Sequence, residues 1–222
     1  MLQSKVAASR GLRTWTLMLR FDPARYDAAI FDCDGTLVDT MPLHHAAWRA
    51  AFERFQAPFD FTWDLFLRRA GMTLEATVEG LNVEFGCTLP PGLVSDAQRD
   101  EFQHRSDQIL PIGYVVQFAR EVAREHPVAV ASGSSLASVE HALGRIGLLG
   151  CFQTVVAAGD VREGKPSPEA FLLAASRLSV PPDRCLVLED GDLGLEAARR
   201  AGMDAYRVGR DGGATLQRAG AQ

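Results

Sequence analysis

The sequence predicts an α/β protein, built as a doubly wound parallel sheet with an inserted α-helical cap domain. Three patterns support this fold class. The apolar run at 28–31 is short, bounded and partly β-branched or aromatic, as a buried parallel strand would be. Residues 41–110 show helical periodicity and no strand pattern. From residue 112 onward, apolar runs of strand length alternate with helical segments, which implies right-handed βαβ units.

These patterns divide the chain into three regions. A core domain combines 26–40 with 111–222, a cap domain is inserted at 41–110, and 1–25 form a basic N-terminal extension. The first 20 residues carry four basic side chains and no acidic one, but their longest apolar stretch, 15–19, is too short for a signal sequence or a membrane span. We therefore expect a cytoplasmic protein without a membrane partner, and Met18 is an alternative start.

Composition narrows the classes of function. The 222 residues are 47% hydrophobic and 23% charged, which suits a globular chain with one good core and a smaller second module. The formal net charge of -5 leaves no basic stripe for a phosphate backbone, so nucleic acid is not the expected partner. A small anionic ligand remains compatible, because a local site can oppose the overall charge. Four scattered cysteines indicate free thiols in a reducing compartment, and no heptad or long apolar strand suggests more than a monomer.

The cap is predicted to contain four helices. Thr40 is a natural N-cap for the first of them. Gly71 is expected to end the second helix, and Thr73 is expected to cap the third. Ser95 and Gln98 have the spacing of a capping box, so a fourth helix is expected to begin there and to run to the end of the cap.

The core is predicted to supply four strands besides the first. Apolar runs place these strands at 128–131, 155–157, 186–188 and 205–208. The segments between them have helical length and apolar stripes at helical spacing. Strands that alternate with helices of this length form a parallel sheet.

Polar side chains follow the carboxyl ends of the first four strands, where an open α/β sheet binds its ligands. In strand order they are Asp32 and Asp34; Ser132, Gly133 and Ser134; Lys165; and Glu189 and Asp190. Each has an ordinary structural explanation when taken alone, such as a turn for the two aspartates and an N-cap for Ser132. Their arrival at equivalent positions of successive strands favours a common site.

This set of side chains suits phosphoryl transfer to an aspartate. The carboxylates of Asp32, Glu189 and Asp190 are the ligands that a hard ion such as Mg²⁺ prefers. That ion and Lys165 would neutralise the phosphate, so that a carboxylate can approach it. The Ser132 hydroxyl and the backbone amides of the following turn would hold phosphate oxygens at the positive end of a helix dipole.

The two aspartates of the first motif are expected to have different roles. Asp32 would attack phosphorus and form an aspartyl-phosphate. Asp34 would protonate the leaving oxygen and then deprotonate the water that hydrolyses the intermediate. Because a free aspartate has a pKa of about 3.9, the site would have to keep Asp34 protonated part of the time.

Four motifs make the chain resemble the haloacid dehalogenase superfamily. They are Asp32-Cys-Asp34-Gly-Thr, Ser132 after an apolar run, Lys165-Pro166, and Glu189-Asp190 followed by Gly194. Their order and spacing match from about residue 26 to 208. The resemblance implies a Rossmann-like core with a small helical cap, with Asp32, Asp34, Ser132 and Lys165 as catalytic residues. It also implies that Mg²⁺ binds Asp32, the Asp34 backbone carbonyl, Glu189 and Asp190.

The resemblance also implies a set of substrate contacts. These residues are Thr36, His44, Ser132, Gly133, Ser134 and Lys165. His44 would contact Asp34 or the substrate, and the alternative, a histidine packed on the Trp48 face of its helix, stays open. Asp192 adds an acid near the metal ligands, either as a supporting group or as a solvated side chain.

Within the superfamily, the chain is most similar to the branch of β-phosphoglucomutase and small sugar-phosphate phosphatases. The shared stretch is Asp39-Thr40…His44…Ala47-Trp48 at the start of the cap. The mutase holds a second phosphate through a Lys-Gly-x-Ser-Arg stretch, but the segment here is Ala70-Gly71-Met72-Thr73-Leu74, without the lysine or the arginine. The interpretation that follows is a Mg²⁺-dependent phosphatase for a small phosphorylated sugar or sugar alcohol.

Three other functions compete with the phosphatase interpretation. Arg68, Arg69, His104 and Arg105 are near enough in sequence to supply the missing charge, so the mutase remains the alternative. A catalytically silent binding protein would be expected to have lost Asp32, Asp34 or Lys165, and all three are present. A true haloacid dehalogenase has no use for Asp34. The cap is expected to open and close at 39–40 and 110–113.

Overall fold

A computed structural model of the chain describes residues 19–70 and 72–220. The strands are β1 (Ala28–Phe31), β2 (Val128–Ala131), β3 (Thr154–Val156), β4 (Cys185–Glu189), β5 (Asp204–Val208) and β6 (Ala214–Gln217). The α-helices are α1 (Met41–Arg54), α2 (Trp63–Leu67), α3 (Leu74–Phe85), α4 (Pro91–His104), α5 (Gly113–Val122), α6 (Leu136–Arg145), α7 (Glu169–Leu178) and α8 (Asp192–Arg200). Most of the basic extension, including Met18, lies outside the described residues, as does Gly71.

The six strands form one sheet in the order β3-β2-β1-β4-β5-β6. All neighbouring pairs from β3 to β5 are parallel, and only β6 runs antiparallel to its neighbour, β5. The four residues of β1 and of β2 are all buried, which explains why these strands appear as continuous apolar runs. The sheet confirms the predicted fold class, and the predicted strands differ from the observed ones by one residue at most at each end.

Helices cover both faces of the sheet, so each face has its own apolar cluster. Side chains of successive strand residues point to opposite faces. Phe31 accordingly packs in a cluster with Val115 of α5 and Leu143 of α6. Ile30 packs in the other cluster with Phe171 of α7. Burial on both faces is the physical content of a doubly wound core.

Helices α1 to α4 form a third apolar cluster, separate from the two that cover the sheet. Its members include Trp48, Phe52, Phe61 and Leu81. The described part of 41–110 contains no strand. A helical unit with its own core, inserted between β1 and α5, is what the sequence predicts for the cap.

The two connections between the helical unit and the sheet lie side by side. The backbone N–H of Asp39 donates to the carbonyl of Leu110 at 2.8 Å, and that of Ile112 donates to the carbonyl of Leu37 at 2.9 Å. This short antiparallel pairing places the beginning of α1 and the end of the helical unit next to the carboxyl end of β1.

The predicted start of the fourth cap helix is wrong. Helix α4 begins at Pro91, and Pro90 is its N-cap. Ser95 and Gln98 are buried inside the helix and therefore form no capping box. Proline is accommodated in a first helical turn because its missing N–H has no intrahelical partner there. The N-cap predicted at Thr73 is confirmed, since its hydroxyl accepts from the backbone N–H of Ala76.

No helix in the described ranges is long and apolar enough to cross a membrane.

Candidate active site

The candidate site lies at the carboxyl ends of β1, β2 and β4. Strand β1 has β2 on one side and β4 on the other, so the strand order changes direction here, as it does at ligand-binding crevices of α/β sheets. The backbone N–H of Asp32 donates to the carbonyl of Leu188, and that of Ser132 donates to the carbonyl of Val156, both at 2.9 Å. These bonds continue the sheet ladder by one residue and so fix where both side chains start.

Three acidic side chains meet in this crevice. Carboxylate oxygens of Asp32, Glu189 and Asp190 all lie within 4.8 Å of one another. Asp32 is 5% exposed and Glu189 is 4% exposed. The ammonium group of Lys165 lies between two of these carboxylates, 2.6 Å from Asp32 Oδ1 and 2.6 Å from Glu189 Oε2. The structure thus brings together the four charged residues that the sequence placed at three different strand ends.

One ammonium group does not balance three carboxylates. Burial and the charge of Glu189 raise the pKa of Asp32 well above its ordinary value, although Lys165 opposes this. Burial and the charge of Glu189 also raise the pKa of Asp190 to about 7. Burial alone would lower the pKa of Lys165, but the two carboxylates outweigh it and raise that pKa. The unbalanced negative charge and the all-oxygen donor set fit a hard divalent cation.

Asp34 lies beside this acidic cluster and has different partners. The hydroxyls of Thr40 and Ser134 each donate to its carboxylate at 2.7 Å, and Nε2 of His44 is 3.8 Å from Oδ1. Burial raises the pKa of Asp34, but the nearby His44 imidazole and these hydroxyl donors outweigh it and lower the pKa to about 2. In this arrangement the site therefore keeps Asp34 ionised, contrary to the expectation that it is protonated part of the time.

Thr40 occupies the N-cap position of α1 but does not cap the helix with its side chain. Its hydroxyl donates to Asp34 instead. To cap the helix, the hydroxyl oxygen would have to accept from a backbone N–H of the first turn, but the side chain is turned toward the buried carboxylate and accepts from no such N–H. The predicted position is confirmed, whereas the predicted capping hydrogen bond is wrong.

His44 belongs to α1 and lies on the side of the helical unit that faces Asp34. Its ring stacks on Phe102 of α4, with centroids 4.0 Å apart and planes inclined by 6°. Its Nδ1 is 3.3 Å from Nε2 of Gln98, which also belongs to α4. Trp48 stacks on Phe52 instead. Of the two alternatives left open for His44, the structure has the one in which its ring approaches Asp34.

Ser132 is buried at the end of β2, and its hydroxyl accepts from the backbone N–H of Ser134 at 3.0 Å. The N-cap of α6 is Ser135, whose hydroxyl accepts from Ser138. Ser132 is therefore not a capping residue. Gly133 is exposed between these serines, so the predicted phosphate-binding turn is open to solvent.

The hydroxyl of Thr36 points to the acidic cluster. Thr36 is fully buried, and its Oγ1 donates to Asp190 Oδ1 at 3.2 Å. Its predicted contact with substrate therefore competes with a contact that orients Asp190. Asp192 faces away from the cluster, because its carboxylate is 88% exposed and pairs with Arg207. Asp192 is thus a solvated side chain.

At two positions, a glycine has no side chain where a carboxylate of the cluster lies. Gly35 has a φ of +88°, and a Cβ there would lie 2.2 Å from Oδ2 of Asp190. A Cβ on Gly194 of α8 would lie 2.1 Å from Cδ of Glu189. Any larger side chain at either position would have to displace a carboxylate of the cluster.

Three of the four cationic residues that the sequence offered as an alternative phosphate clamp are paired with acids. Arg68 and Arg69 both pair with Glu84, and the Arg69 side chain is only 11% exposed. Arg105 pairs with Glu101 on the preceding turn of α4. These pairings reduce the charge that the helical unit can offer to a second phosphate.

Sequence reasoning missed Gln98 and Phe102 as neighbours of the site. Both lie on the face of α4 that packs against His44, four residues apart. The available signal was a polar residue at a position that helical spacing would bury, but Gln98 was interpreted as part of a helix cap.

The family model for haloacid dehalogenase-like hydrolases matches residues 26–202 of this chain. The chain is 35% identical to the fructose-1-phosphate phosphatase YqaB of Escherichia coli over 186 residues, which cover 83% of this chain and 97% of that protein. It is 28% identical to the β-phosphoglucomutase of Bacillus subtilis over 193 residues, 82% of this chain and 83% of that protein.

The fold is also similar to a solved structure, that of CbbY from Rhodobacter sphaeroides in complex with phosphate. The TM-score is 0.73 at 27% sequence identity, and the match covers 89% of this chain and 92% of that one. The family match spans well over half of the chain and includes all four motifs of the site. The chain therefore belongs to the haloacid dehalogenase-like hydrolases, as its motifs predict.

Proposed function

We propose that this hydrolase is a Mg²⁺-dependent phosphatase that hydrolyses a small phosphorylated sugar or sugar alcohol through an aspartyl-phosphate intermediate. One observation carries the proposal: the buried carboxylate of Asp32 lies in contact with Lys165 and within the acidic cluster, with Asp34 two residues away. The family match and the named phosphatase relative confirm the coarser statement that the chain is an enzyme of the phosphatase kind.

Asp32, Glu189 and Asp190 would hold the Mg²⁺ ion, together with the backbone carbonyl of Asp34. Their support is the oxygen-only donor set within 4.8 Å and the excess of negative charge. When bound, Mg²⁺ neutralises phosphate charge and polarises a phosphoryl oxygen. Lys165 adds a second positive charge at the same place.

Asp32 would act as the nucleophile. Its carboxylate oxygen forms a bond to phosphorus while the bond from phosphorus to the sugar oxygen breaks, and water later cleaves the aspartyl-phosphate. The Ser132 hydroxyl and the amides of Gly133 and Ser134 would hold phosphate oxygens beside the N-terminus of α6. The open turn at Gly133 supports this binding role.

Asp34 would give its proton to the leaving sugar oxygen and take a proton from the attacking water. Its hydrogen bonds with Thr40 and Ser134 hold it ionised in the present arrangement. A phosphate group bound next to it would raise its pKa by like-charge repulsion. Substrate binding would therefore favour the protonated form of Asp34.

We propose that the helical unit at 41–110 is the predicted cap and that it moves about the paired connections at 39–40 and 110–113. Two backbone hydrogen bonds join these connections. Arg210, in the loop between β5 and β6, also pairs with Asp39 at 2.8 Å. Closure would exclude water from the aspartyl-phosphate until the sugar has left.

The helical unit bears on the choice of substrate. A monophosphate with few distal charges suits a cap whose arginines at 68, 69 and 105 already pair with acids. A phosphosugar mutase is the second candidate, because the chain is 28% identical to a β-phosphoglucomutase.

All four cysteines are free, which supports the proposal that the enzyme works in the reducing cytoplasm.

The test is phosphate release from a panel of sugar and sugar-alcohol monophosphates, with Mg²⁺ and with a chelator, for the wild type and Asp32→Asn. The matched control is Asp183→Asn, an exposed aspartate before β4. We expect release that requires Mg²⁺, is abolished in Asp32→Asn and is unchanged in Asp183→Asn.

A separate assay with β-glucose 1-phosphate and its bisphosphate measures isomerisation. Isomerisation without net release would replace the phosphatase with the mutase. A folded protein with neither activity on the panel would refute the proposal in favour of a catalytically silent binding protein.

A further inference from the structure

Helix α4 buries two polar side chains on the face that packs toward the site. Gln98 is 1% exposed and Ser95 is fully buried. A buried amide is retained in a folded protein when its hydrogen-bonding groups have partners. The partner of Gln98 is the Nδ1 atom of His44, 3.3 Å from its Nε2. Within the helical unit, Gln98 of α4 thus contacts His44 of α1, the histidine of the described residues that approaches Asp34.

Phe102, four residues after Gln98, sets the plane of the same imidazole. The two rings are nearly parallel at a centroid distance of 4.0 Å. Stacking fixes the plane of the His44 ring, and the contact with Gln98 fixes its rotation within that plane. The remaining nitrogen, Nε2, is thereby directed toward Oδ1 of Asp34 at 3.8 Å.

The neighbours on both sides select one tautomer of His44. A bare Nε2 would set its lone pair against the carboxylate of Asp34, whereas an N–H at Nε2 is attracted to it. Nδ1 is then an acceptor, and the amide N–H₂ of Gln98 is the donor that matches it. An apolar or acceptor-only side chain at position 98 would leave this lone pair without a donor.

We propose that Gln98 is a positioning residue that holds His44 in the Nε2–H tautomer and directs this N–H toward Asp34. This inference rests on the proposed function, in which Asp34 moves the protons. Because His44, Gln98 and Phe102 all belong to the helical unit, the oriented N–H moves with that unit and approaches Asp34 only while the unit packs against the sheet.

The first experiment measures the tautomer itself and requires no activity. The side-chain ¹⁵N shifts of His44 are recorded by NMR in mildly alkaline buffer, with His44→Asn to assign its signals. We expect an N–H at Nε2 and an acceptor at Nδ1 in the wild type, and a mixture of tautomers in Gln98→Met. An N–H at Nδ1 in the wild type, or no change in Gln98→Met, would overturn the proposal.

The second experiment is a double-mutant cycle in phosphate release. We expect Gln98→Met to lower kcat by about 10- to 100-fold with KM changed by no more than about twofold. In the His44→Asn background, the same substitution should cause no further loss. The matched control is Gln103→Met, an exposed glutamine of the same helix, which should behave as the wild type.

The outcomes separate this proposal from the proposed function. An equal loss in both backgrounds would assign Gln98 to folding alone, and no loss in either would remove it from the mechanism. If the wild type releases no phosphate from any substrate, the proposed function fails, and the NMR result still decides the tautomer.

Discussion

At the scale of single residues, the site depends on how closely backbone and carboxylates approach each other. Lys165 contacts two carboxylates at 2.6 Å, and Gly35 and Gly194 leave no space for a Cβ beside Asp190 and Glu189. Charges at such distances interact strongly because burial removes the water that would screen them. A displacement of one carboxylate therefore changes the whole cluster.

Gly194→Ala tests this close approach. The new Cβ would lie 2.1 Å from Cδ of Glu189, so the carboxylate must move, and we expect the affinity for Mg²⁺ to fall by about 10-fold. Calorimetric titration with Mg²⁺ measures this directly, and phosphate release against Mg²⁺ concentration gives a second reading.

Gly144→Ala is the matched control for Gly194→Ala. Gly144 is also helical, in α6, and apart from its chain neighbours and the backbone of its own helix, no atom of the described residues lies within 4 Å of the position of its Cβ. Alanine there should raise the free energy of unfolding by about 0.5–1 kcal/mol and leave Mg²⁺ affinity unchanged. Equal affinities in Gly194→Ala and the wild type would show that Glu189 does not hold the ion.

At the scale of elements, α4 shows how a correct residue pattern can have another cause. Ser95 and Gln98 have the spacing of a capping box, but the helix begins four residues before Ser95, at Pro91. The Ser95 hydroxyl is buried and has no hydrogen-bond partner among the described residues. Such a hydroxyl destabilises the fold, because its hydrogen bonds to water are lost.

Ser95→Ala and Thr73→Ala together distinguish a buried serine from a true cap. We expect Ser95→Ala to leave the free energy of unfolding unchanged or to raise it by up to about 1 kcal/mol. Thr73→Ala should lower it by about 1 kcal/mol, because its hydroxyl accepts from the N–H of Ala76. Chemical denaturation measures both values. If Ser95→Ala instead lowered the free energy of unfolding by about 1 kcal/mol, as the loss of a cap does, the helix start at Pro91 would be contradicted.

Strand β6 shows the opposite case, an element that the local pattern did not predict. Its four residues alternate between half-buried and exposed at the edge of the sheet, after a loop rich in glycine. It pairs with β5 in the antiparallel direction. It forms because β5 lies beside it and supplies hydrogen-bond partners, not because its own sequence is an apolar run.

At the scale of the whole molecule, Asp204 of β5 ties together both ends of the described chain. Its Oδ2 accepts from Tyr26 at 2.8 Å and from Arg218 at 2.9 Å, and its Oδ1 accepts from the backbone N–H of Ala219 at 2.9 Å. Arg25 contacts the same carboxylate. Burial raises the pKa of Asp204, but these donors outweigh it and lower the pKa from 3.8 to about 2.

Asp204 therefore makes stability depend on pH. A pKa that is lower in the folded than in the unfolded chain stabilises the fold above the unfolded pKa, and this contribution disappears as pH falls toward the folded value. Because Arg25 and Arg218 are nearly half exposed, we expect Asp204→Asn to lower the free energy of unfolding near neutral pH by about 1–2 kcal/mol. Denaturation between neutral pH and pH about 3 should show this difference shrinking below pH about 4, while Asp183→Asn shows none. A difference independent of pH would assign the effect to packing.

The sequence alone determined most of the fold and the place of the site. The spacing of apolar residues along a short stretch of chain shows whether that stretch buries one face as a strand or as a helix. Five strands and the helical insertion could therefore be predicted from the sequence. Asp32, Lys165, Glu189 and Asp190 were assigned to one crevice because parallel strands end at one edge of a sheet.

Only the tertiary structure decided which groups meet across that crevice. The Thr40 hydroxyl donates to Asp34 and accepts from no N–H of its own helix, its neighbours lower the pKa of Asp34, and Gln98 of α4 contacts His44 of α1. These contacts join residues whose separation in sequence says nothing of their distance in space. Helical period predicts that a side chain is buried, but the group that it meets there depends on how the helices pack. Hydrogen bonds and pKa shifts depend on those distances, and so they followed from the fold rather than from the pattern.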